Sequence, residues 1–347
     1  MKPRLLIIGT DSMHTVNYYH LVREHFSEIG IITSPGSVRW GDIPVTEINM
    51  SLRNPSLIPG TIMRFRKAIR AFRPDIIHIH QAGTHALYAT LALQARTPVV
   101  VTAWGSDILQ VPEKGSLYRT MVRYILRKAD YCTADSHYLA TVMKDLASPC
   151  ELKVDTVNFG LPALPQTGPK EKLVYSNRLH KELYRIDAVL KAFKRFLDAC
   201  QDDSWQLVVA GEGYDTPRLK DLAEALGIST QTRFVGFVDA PTNLSYYASA
   251  AVYISVPESD ATAISLLEAM AAGCRPIVSD LPSNREWIQH GHNGIVATDL
   301  DANMIQQALD LDYTQLMETN LDLIRKKAMR DTNRQRFLDI YQRLLVP

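Results

Sequence analysis

The sequence predicts an α/β protein made of two consecutive doubly wound domains, each a parallel sheet with helices on both faces. Three observations carry this. At 347 residues the chain exceeds one typical domain and matches about two of 150–200 residues. Its short apolar, β-branched runs lack the in-out alternation of half-exposed strands and are separated by helical patterns. The pattern stops at "NFGLPALPQTGPK" (158–170), where Pro and Gly accumulate, and then restarts.

In the first half "RLLIIG" (4–9) reads as a buried strand, followed by a turn into a helix with Ser12 at its N-cap. "DIIHIH" (75–80), "PVVVTAW" (98–104) and "YCTAD" (131–135) are further strands. In the second half the strands are "KLVYSN" (172–177), "WQLVVAG" (205–211), "TRFVGFV" (232–238), "AVYISV" (251–256) and "RPIVSD" (275–280). Ligands of such sheets sit beyond the carboxyl ends of the strands. Two facing sheets predict a site in a cleft between the domains.

Composition excludes several classes. A hydrophobic fraction of 46% and a charged fraction of 22% belong to an ordinary globular protein. The four cysteines share no CxxC spacing, so neither a zinc site nor a disulfide scaffold is expected. No apolar run reaches the roughly 18–20 residues of a spanning helix, and residues 5–9 are too short for a signal peptide. A cytoplasmic protein is expected. Net charge is +1, but residues 1–165 hold 18 Lys/Arg against 13 Asp/Glu and the remainder 20 against 24. The first half thus expects an anionic partner, though the excess is too small for nucleic acid.

The stretch "SDATAISLLEAMAAG" (259–273) carries the most chemistry. Asp260 and Glu268 bracket small residues that end a strand and open a helix from about Ile264 to Ala272. Ala261, Thr262, Ala263, Ile264 and Ser265 leave first-turn amides open to an anion such as phosphate. Ser265, Glu268 and Ala272 share one helical face. Carboxylates repel phosphate, so their partners would be hydroxyls: a ribose diol at Glu268, sugar hydroxyls at Asp260, and phosphate between. Without a ligand, Asp260 reads as a helix cap and Glu268 as an exposed helix residue.

The same stretch resembles the acid-x7-acid signature of the family 4 retaining glycosyltransferases. "PDIIHIH", "TPVVVTAWGSDIL", "ADYCTADSHYL", "LVVAGEGYDTPRLKDLAEALGI", "FVGFVD" and "GHNGIVATD" resemble the family's segments in the same order. The resemblance implies the GT-B fold, with two Rossmann-like domains. It implies an acceptor-binding domain over 1–162, a nucleotide-sugar-binding domain over 170–325, and a C-terminal helix over 326–347 that returns to the first domain. The crossing near residue 325 then reads as a hinge.

Within "YSNRLHKELYRIDAVLKAF" (175–193) the family carries an Arg and a Lys on the donor diphosphate. Arg178 matches; Lys181 comes earlier than the usual lysine, and Arg185 is its rival. Preorganised cations and a helix N-terminus would stabilise a departing nucleoside diphosphate without metal or cofactor. Gly211 and Gly213 resemble the donor-domain loop near the nucleotide, and Gly236, Phe237 and Val238 the segment whose backbone meets the base. The Asp299/Asp301 and Asp310/Asp312 pairs read as caps and turns rather than metal ligands.

In the first domain, Thr10, Asp11 and His14 lie on the turn that approaches donor phosphate and acceptor in the family, but its paired glycines are missing. Trp104 stands where the family usually has a His, and would stack on a sugar or pack. Gly105 and Asp107 match the family, Asp107 binding acceptor or orienting its loop. His78 and His80 share a strand face and read as a buried hydrogen-bonded pair, with an acceptor role for His80 as the second reading. Segments 62–73 and 118–128 are basic and amphipathic: either core helices with solvated basic faces, or surfaces for an anionic membrane.

The expected activity is retaining transfer of a sugar from a UDP- or GDP-sugar to a hydroxyl of a glycan or lipid-linked acceptor, as in surface polysaccharide or lipopolysaccharide assembly. A nucleotide-sugar 2-epimerase and a non-catalytic scaffold share the architecture. The "DATA" variation, with its Asp and Thr, is expected to alter which sugar fits.

Overall fold

The computed structural model describes residues 2–38, 40–93 and 97–346. The chain divides into two compact units, Met1–Phe159 with Arg330–Pro347, and Gly160–Met329. The strands of the first are β1 (Arg4–Ile8), β2 (Glu28–Thr33), β3 (Val45–Glu47), β4 (Ile76–His80), β5 (Val99–Thr102), β6 (Tyr131–Ala134) and β7 (Val154–Thr156). They form a seven-stranded sheet in the order β3-β2-β1-β4-β5-β6-β7. The strands of the second are β8 (Glu171–Ser176), β9 (Gln206–Ala210), β10 (Thr232–Gly236), β11 (Ala250–Ser255), β12 (Arg275–Ser279) and β13 (Ile295–Ala297). Their order is β10-β9-β8-β11-β12-β13. The pairings among the described residues are parallel.

Helices of the first unit are α1 (Met13–Val22), α2 (Ile58–Phe72), α3 (Thr84–Ala92), α4 (Ser106–Leu109), α5 (Ser116–Lys128) and α6 (His137–Ala147). The second unit has α7 (Ile186–Cys200), α8 (Thr216–Ala225), α9 (Ala240–Ser249), α10 (Ile264–Ala271), α11 (Pro282–Arg285), α12 (Met304–Leu309) and α13 (Tyr313–Lys327). The last helix, α14 (Arg330–Leu345), belongs to the first unit. Ser12 caps α1 by accepting from the Thr15 amide at 3.4 Å.

Four strands escape the sequence reading. β3 and β7 are three-residue strands without a buried apolar run, so nothing in their composition marks them. β13 is equally short. β2 buries Ile29, Ile31 and Ile32, but Gly30 interrupts the run. That glycine admits the Phe72 ring of α2, which a Cβ would meet at 2.8 Å.

In each sheet the strand order reverses beside the first strand, between β1 and β4 and between β8 and β11. A crevice opens beyond the carboxyl ends at such a point. In the second unit the residues delivered there are Asn177 and Arg178 after β8, and the 257–263 loop after β11. Tyr175 and Tyr253 pair in register on these two strands and lie buried on the sheet face covered by α9 and α10. Phe193, Phe196, Leu207, Val209, Val252 and Ile254 fill the opposite face.

Lys170 locks α9 and α10 in place. Its Nζ donates to the carbonyls of Tyr247 and Ala248 at 2.9 Å each, and of Ala272 at 2.8 Å. One ammonium thereby satisfies orphan carbonyls at the ends of both helices, where the helix dipole also favours a cation. The Lys170→Met variant is expected to lose about 2–3 kcal/mol of unfolding free energy in urea titration. An unchanged midpoint would contradict this role.

The first unit is tied through its centre by a buried hydrogen-bonded chain. Tyr341 on α14 lies 2.5 Å from the Tyr18 hydroxyl and also bonds His78 Nδ1. His78 Nε2 meets Thr102 Oγ1 at 2.5 Å, and Thr102 meets Thr133 at 2.6 Å. Burial pushes the His78 imidazole from 6.5 down to about 3. Between those values the unfolded chain binds more protons than the folded one, so stability falls as pH drops through that window. The thermal midpoint should therefore decline from pH 7 to pH 4, and less steeply in His78→Gln. The slope should not vanish, because burial also pushes His80 and His85 down. An identical slope in the variant would contradict the assignment.

Candidate functional site

In the second unit the loop after β8 is zipped to the loop after β9. The His180 amide donates to the Glu212 carbonyl at 3.1 Å, and the Asp215 amide returns to His180 O at 3.2 Å. His180 Nδ1 meets Thr216 Oγ1 at 2.8 Å. A Cβ on Gly211 would stand 2.6 Å from the Arg178 carbonyl oxygen, and one on Gly213 would stand 2.1 Å from that of His180. The two glycines of "GEG" are thus required by the close approach of the Arg178 loop. Gly236 accepts from the Gly211 amide at 2.7 Å, while Phe237 beside it is 69% exposed and Val238 is half-buried.

Arg178 emerges from this support with its guanidinium engaged on three sides. It donates to Asp260 Oδ2 at 2.6 Å and to Ser265 Oγ at 3.2 Å, and lies 4.6 Å from the Tyr184 ring centroid. The ion pair is largely shielded, with side-chain exposures of 13% and 21%. Burial opposes the charge on Arg178, but Asp260 outweighs it and the guanidinium is held charged. Burial also pushes the Asp260 carboxyl above the ordinary carboxylate range, against the pull of Arg178 and the Ala261 amide.

The two candidates for a second cation, Lys181 and Arg185, stand apart from this pair. Lys181 is exposed, with its amide on the Leu179 carbonyl at 2.9 Å. Arg185 is half-buried and caps α7 in the left-handed conformation, φ 50°. The Glu258 amide donates to Leu183 O at 2.9 Å, joining the Arg178 loop to the Asp260 loop.

Helix α10 opens at Ile264, with Ala263 as a cap that makes no side-chain hydrogen bond. Asp260 is therefore not the helix cap. Ala261 is buried, and Thr262 is only 8% exposed with its hydroxyl accepting from Trp287 Nε1 at 3.2 Å. Ser283 donates to the Asp260 carbonyl at 2.9 Å. The threonine of "DATA" thus packs on Trp287, which anchors its loop.

Glu268, about one turn into α10, is half-buried rather than free on the surface. Asn243 Nδ2 approaches its Oε2 at 3.4 Å. Burial pushes the Glu268 carboxyl up, opposed by hydrogen bonds from Tyr247 and Asn243. Between the two acids runs a continuous set of contacts: Ser265 to Tyr253 at 2.9 Å, Tyr253 to Asn177 at 3.2 Å, and Asn177 to Tyr247 at 2.7 Å and Asn243 at 3.0 Å. Tyr175 adds a hydrogen bond to Asn243 at 2.6 Å. The structure therefore brings Arg178, Asp260, Ser265 and Glu268 into one cluster and adds residues that the sequence reading missed. Asn177 adjoins Arg178 in the quoted motif, and Asn243 and Tyr247 are four apart on α9; that spacing puts them on one face without revealing what the face meets.

In the first unit the picture is more structural. Asp11 accepts from the Val38 amide at 3.0 Å and Trp40 Nε1 at 3.2 Å, pinning the loop after β2. Asp107 is buried and accepts from the amides of Ala82 at 2.8 Å and Trp104 at 3.0 Å. It orients the loop that contains Gly105, which has φ 104°. His80 is fully buried, stacked on His78 with ring centroids 4.4 Å apart. Only His78 of this pair is hydrogen-bonded; neither His80 ring nitrogen has a partner, which corrects the reading of a bonded pair. His14 is exposed and packs against the half-buried Trp104 at 4.9 Å. Thr10 lines a cavity of about 400 Å³ with Ser34, Asn49, Ser51, Thr84 and His85.

The two basic segments form α2 and α5, and their apolar faces are turned inward. Phe65 is fully buried, as are Val122, Ile125 and Leu126. Arg123 and Arg127 donate to carbonyls at the end of α6. What remains outside is basic, with Met63, Leu117 and Tyr118 exposed among it. Asp299 closes a turn on the Asp301 amide, Asp301 pairs with Arg195, and Asp312 caps α13. Among the described residues no group of three or more His, Cys, Asp or Glu is placed to hold a metal ion. No described helix is long and apolar enough to cross a membrane.

Residues 162–327 match the family model of the glycosyl transferases group 1, and residues 5–136 match that of glycosyl transferase 4-like proteins. The N-acetyl-alpha-D-glucosaminyl L-malate synthase of Bacillus anthracis is 26% identical, over 71% of this chain and 68% of its own length. The alpha-monoglucosyldiacylglycerol synthase of Streptococcus pneumoniae is 26% identical, over 69% of this chain and 62% of its own length. The crystal structure of Anabaena HepE in complex with UDP superposes with a TM-score of 0.81 at 14% identity, covering 98% of this chain and 99% of that one. The chain belongs to the group 1 glycosyl transferases and is a glycosyltransferase enzyme of the GT-B fold.

Proposed function

We propose that the chain transfers a hexose, with retention of configuration, from a nucleoside-diphosphate donor to a hydroxyl of a glycan or glycolipid acceptor. The observation that carries this reading is the cluster at the β8–β11 reversal. One shielded guanidinium, two carboxylates and the start of α10 converge there. In this reading Arg178 and the first amides of α10 take the diphosphate, Glu268 the ribose hydroxyls and Asp260 a sugar hydroxyl. Lys181 or Arg185 supplies a second cation from the same loop. Gly236, Phe237 and Val238 border the base. HepE, a structural neighbour, has been seen with UDP and with UDP-glucose, which favours a UDP-sugar as donor.

In the reaction the acceptor oxygen bonds to the anomeric carbon as the bond from that carbon to the phosphate oxygen breaks. The acceptor proton passes to the departing phosphate. Negative charge grows on the diphosphate, and Arg178 with the helix amides offsets it, so we propose that no metal is needed. The cavity of the first unit is our candidate for the acceptor. Beside Pro35 and Met50 it is lined by hydroxyls, an amide and an imidazole, with no carboxylate or ammonium, which suits a polyhydroxylated group. The exposed basic sides of α2 and α5 would hold the enzyme at the anionic inner face of a membrane during surface-polysaccharide or lipopolysaccharide assembly. The diacylglycerol-linked product named for the pneumococcal relative is consistent with a lipid acceptor.

The experiment is a panel of UDP-, GDP- and ADP-sugars offered with and without acceptor glycans. Transfer should occur with one base, and Arg178→Ala and Glu268→Ala should each lower it about 100-fold or more with the fold retained. Full activity in either variant, or an epimerised sugar formed without acceptor, would overturn the reading.

A further inference from the structure

Asn177 is the residue through which the cationic and anionic ends of the cluster meet. It follows β8 directly and its side chain is half-buried. Both protons of its amide nitrogen are used, toward Tyr247 Oη at 2.7 Å and Asn243 Oδ1 at 3.0 Å. Its oxygen takes the Tyr253 hydroxyl at 3.2 Å. We infer that Asn177 is a positioning residue of the donor site, which aims the hydrogen-bond donors at Glu268 and ties them to Arg178. This rests on the assignment of the cluster to the nucleotide sugar.

Tyr247, having accepted from Asn177, has only its own proton to give, and Glu268 receives it. Asn243 has its oxygen pinned by Asn177 and by Tyr175 at 2.6 Å, which leaves its nitrogen facing Glu268 at 3.4 Å. Tyr253 holds one proton and has two neighbours, Asn177 Oδ1 and Ser265 Oγ. The Tyr253 hydroxyl is the donor toward both, so at Ser265 Oγ it meets Arg178 as a second donor on one acceptor. Ser265 itself accepts from Arg178 at 3.2 Å. The donor order thus runs from Tyr253 through Asn177 to Tyr247, Asn243 and Glu268, and Ser265 Oγ ties Tyr253 to Arg178 as their common acceptor. A chain ordered this way, with a carboxylate at its tail, strengthens each link. Removing the middle residue frees the donors at the carboxylate end to turn away.

Glu268 is faced by the tyrosines Tyr175 and Tyr247 and, from α9, by the neutral Asn243; Arg178 and Asp260 lie at the far end of the chain. The test follows the Glu268 carboxyl by ¹³C NMR titration in the ligand-free protein, for wild type, Asn177→Ala, Asn177→Leu and Tyr247→Phe. Asn177→Leu keeps the volume without any polar atom, and Tyr247→Phe removes one donor should neither Asn177 variant fold. Each variant should titrate at higher pH than wild type, and Asn177→Ala/Tyr247→Phe should shift less than the sum of its parts. A wild-type titration in the variants that fold would overturn the inference. The second readout is calorimetric binding of UDP and GDP, where loss of Asn177 should weaken the bound nucleotide about tenfold. It should also be less than additive with Arg178→Ala. Additive losses would overturn the coupling. A wild type that binds neither nucleotide would count against the donor assignment, while the ligand-free titration would still decide the role of Asn177.

Discussion

A charged guanidinium held out of water at the end of a central strand is the constraint around which the second unit is arranged. Leaving such a group unpaired costs several kcal/mol, so its surroundings must supply acceptors in fixed positions. Asp260 does so at 2.6 Å, Ser265 at 3.2 Å, and the Tyr184 face covers the third side. Each partner comes from a different segment: the β11 loop, the first turn of α10, and the loop after β8 itself. The reversal of strand order between β8 and β11 is what lets these segments meet.

Support for that arrangement is distributed through the unit and is mostly not at the surface. The glycines at 211 and 213 exist to let the Arg178–His180 backbone lie against the β9 loop. Lys170, three residues' carbonyls in its grip, sets the ends of the two helices that carry Asn243, Tyr247 and Glu268. Trp287 and Ser283 fasten the loop that carries Asp260. The first unit shows the same economy in another form: Asp11 and Asp107 hold loops by accepting backbone amides.

Much of this was legible in the sequence, and the limits have physical causes. Apolar β-branched runs marked the central strands because both faces of each are buried. The edge strands β3 and β7 carry no such run and left no trace. Arg178 and Glu268 were visible as charges in motif positions. Asn177, Tyr253 and Tyr247 were not, because a neutral polar residue shows its role only through partners distant in sequence. The sequence reads His80 as buried, and aromatic rings do enclose it; what a strand pattern does not show is that its ring nitrogens find no partner.

Binding of the nucleotide sugar at this cluster is the proposal on which the others rest. A crystal structure of the protein soaked with UDP, or with GDP if that is the base it prefers, tests it most directly. The account predicts the diphosphate on Arg178 and the first amides of α10, with the ribose hydroxyls on the Glu268 carboxylate. A nucleotide bound away from Arg178, or a ribose that leaves Glu268 hydrogen-bonded only to Tyr247 and Asn243, would contradict it.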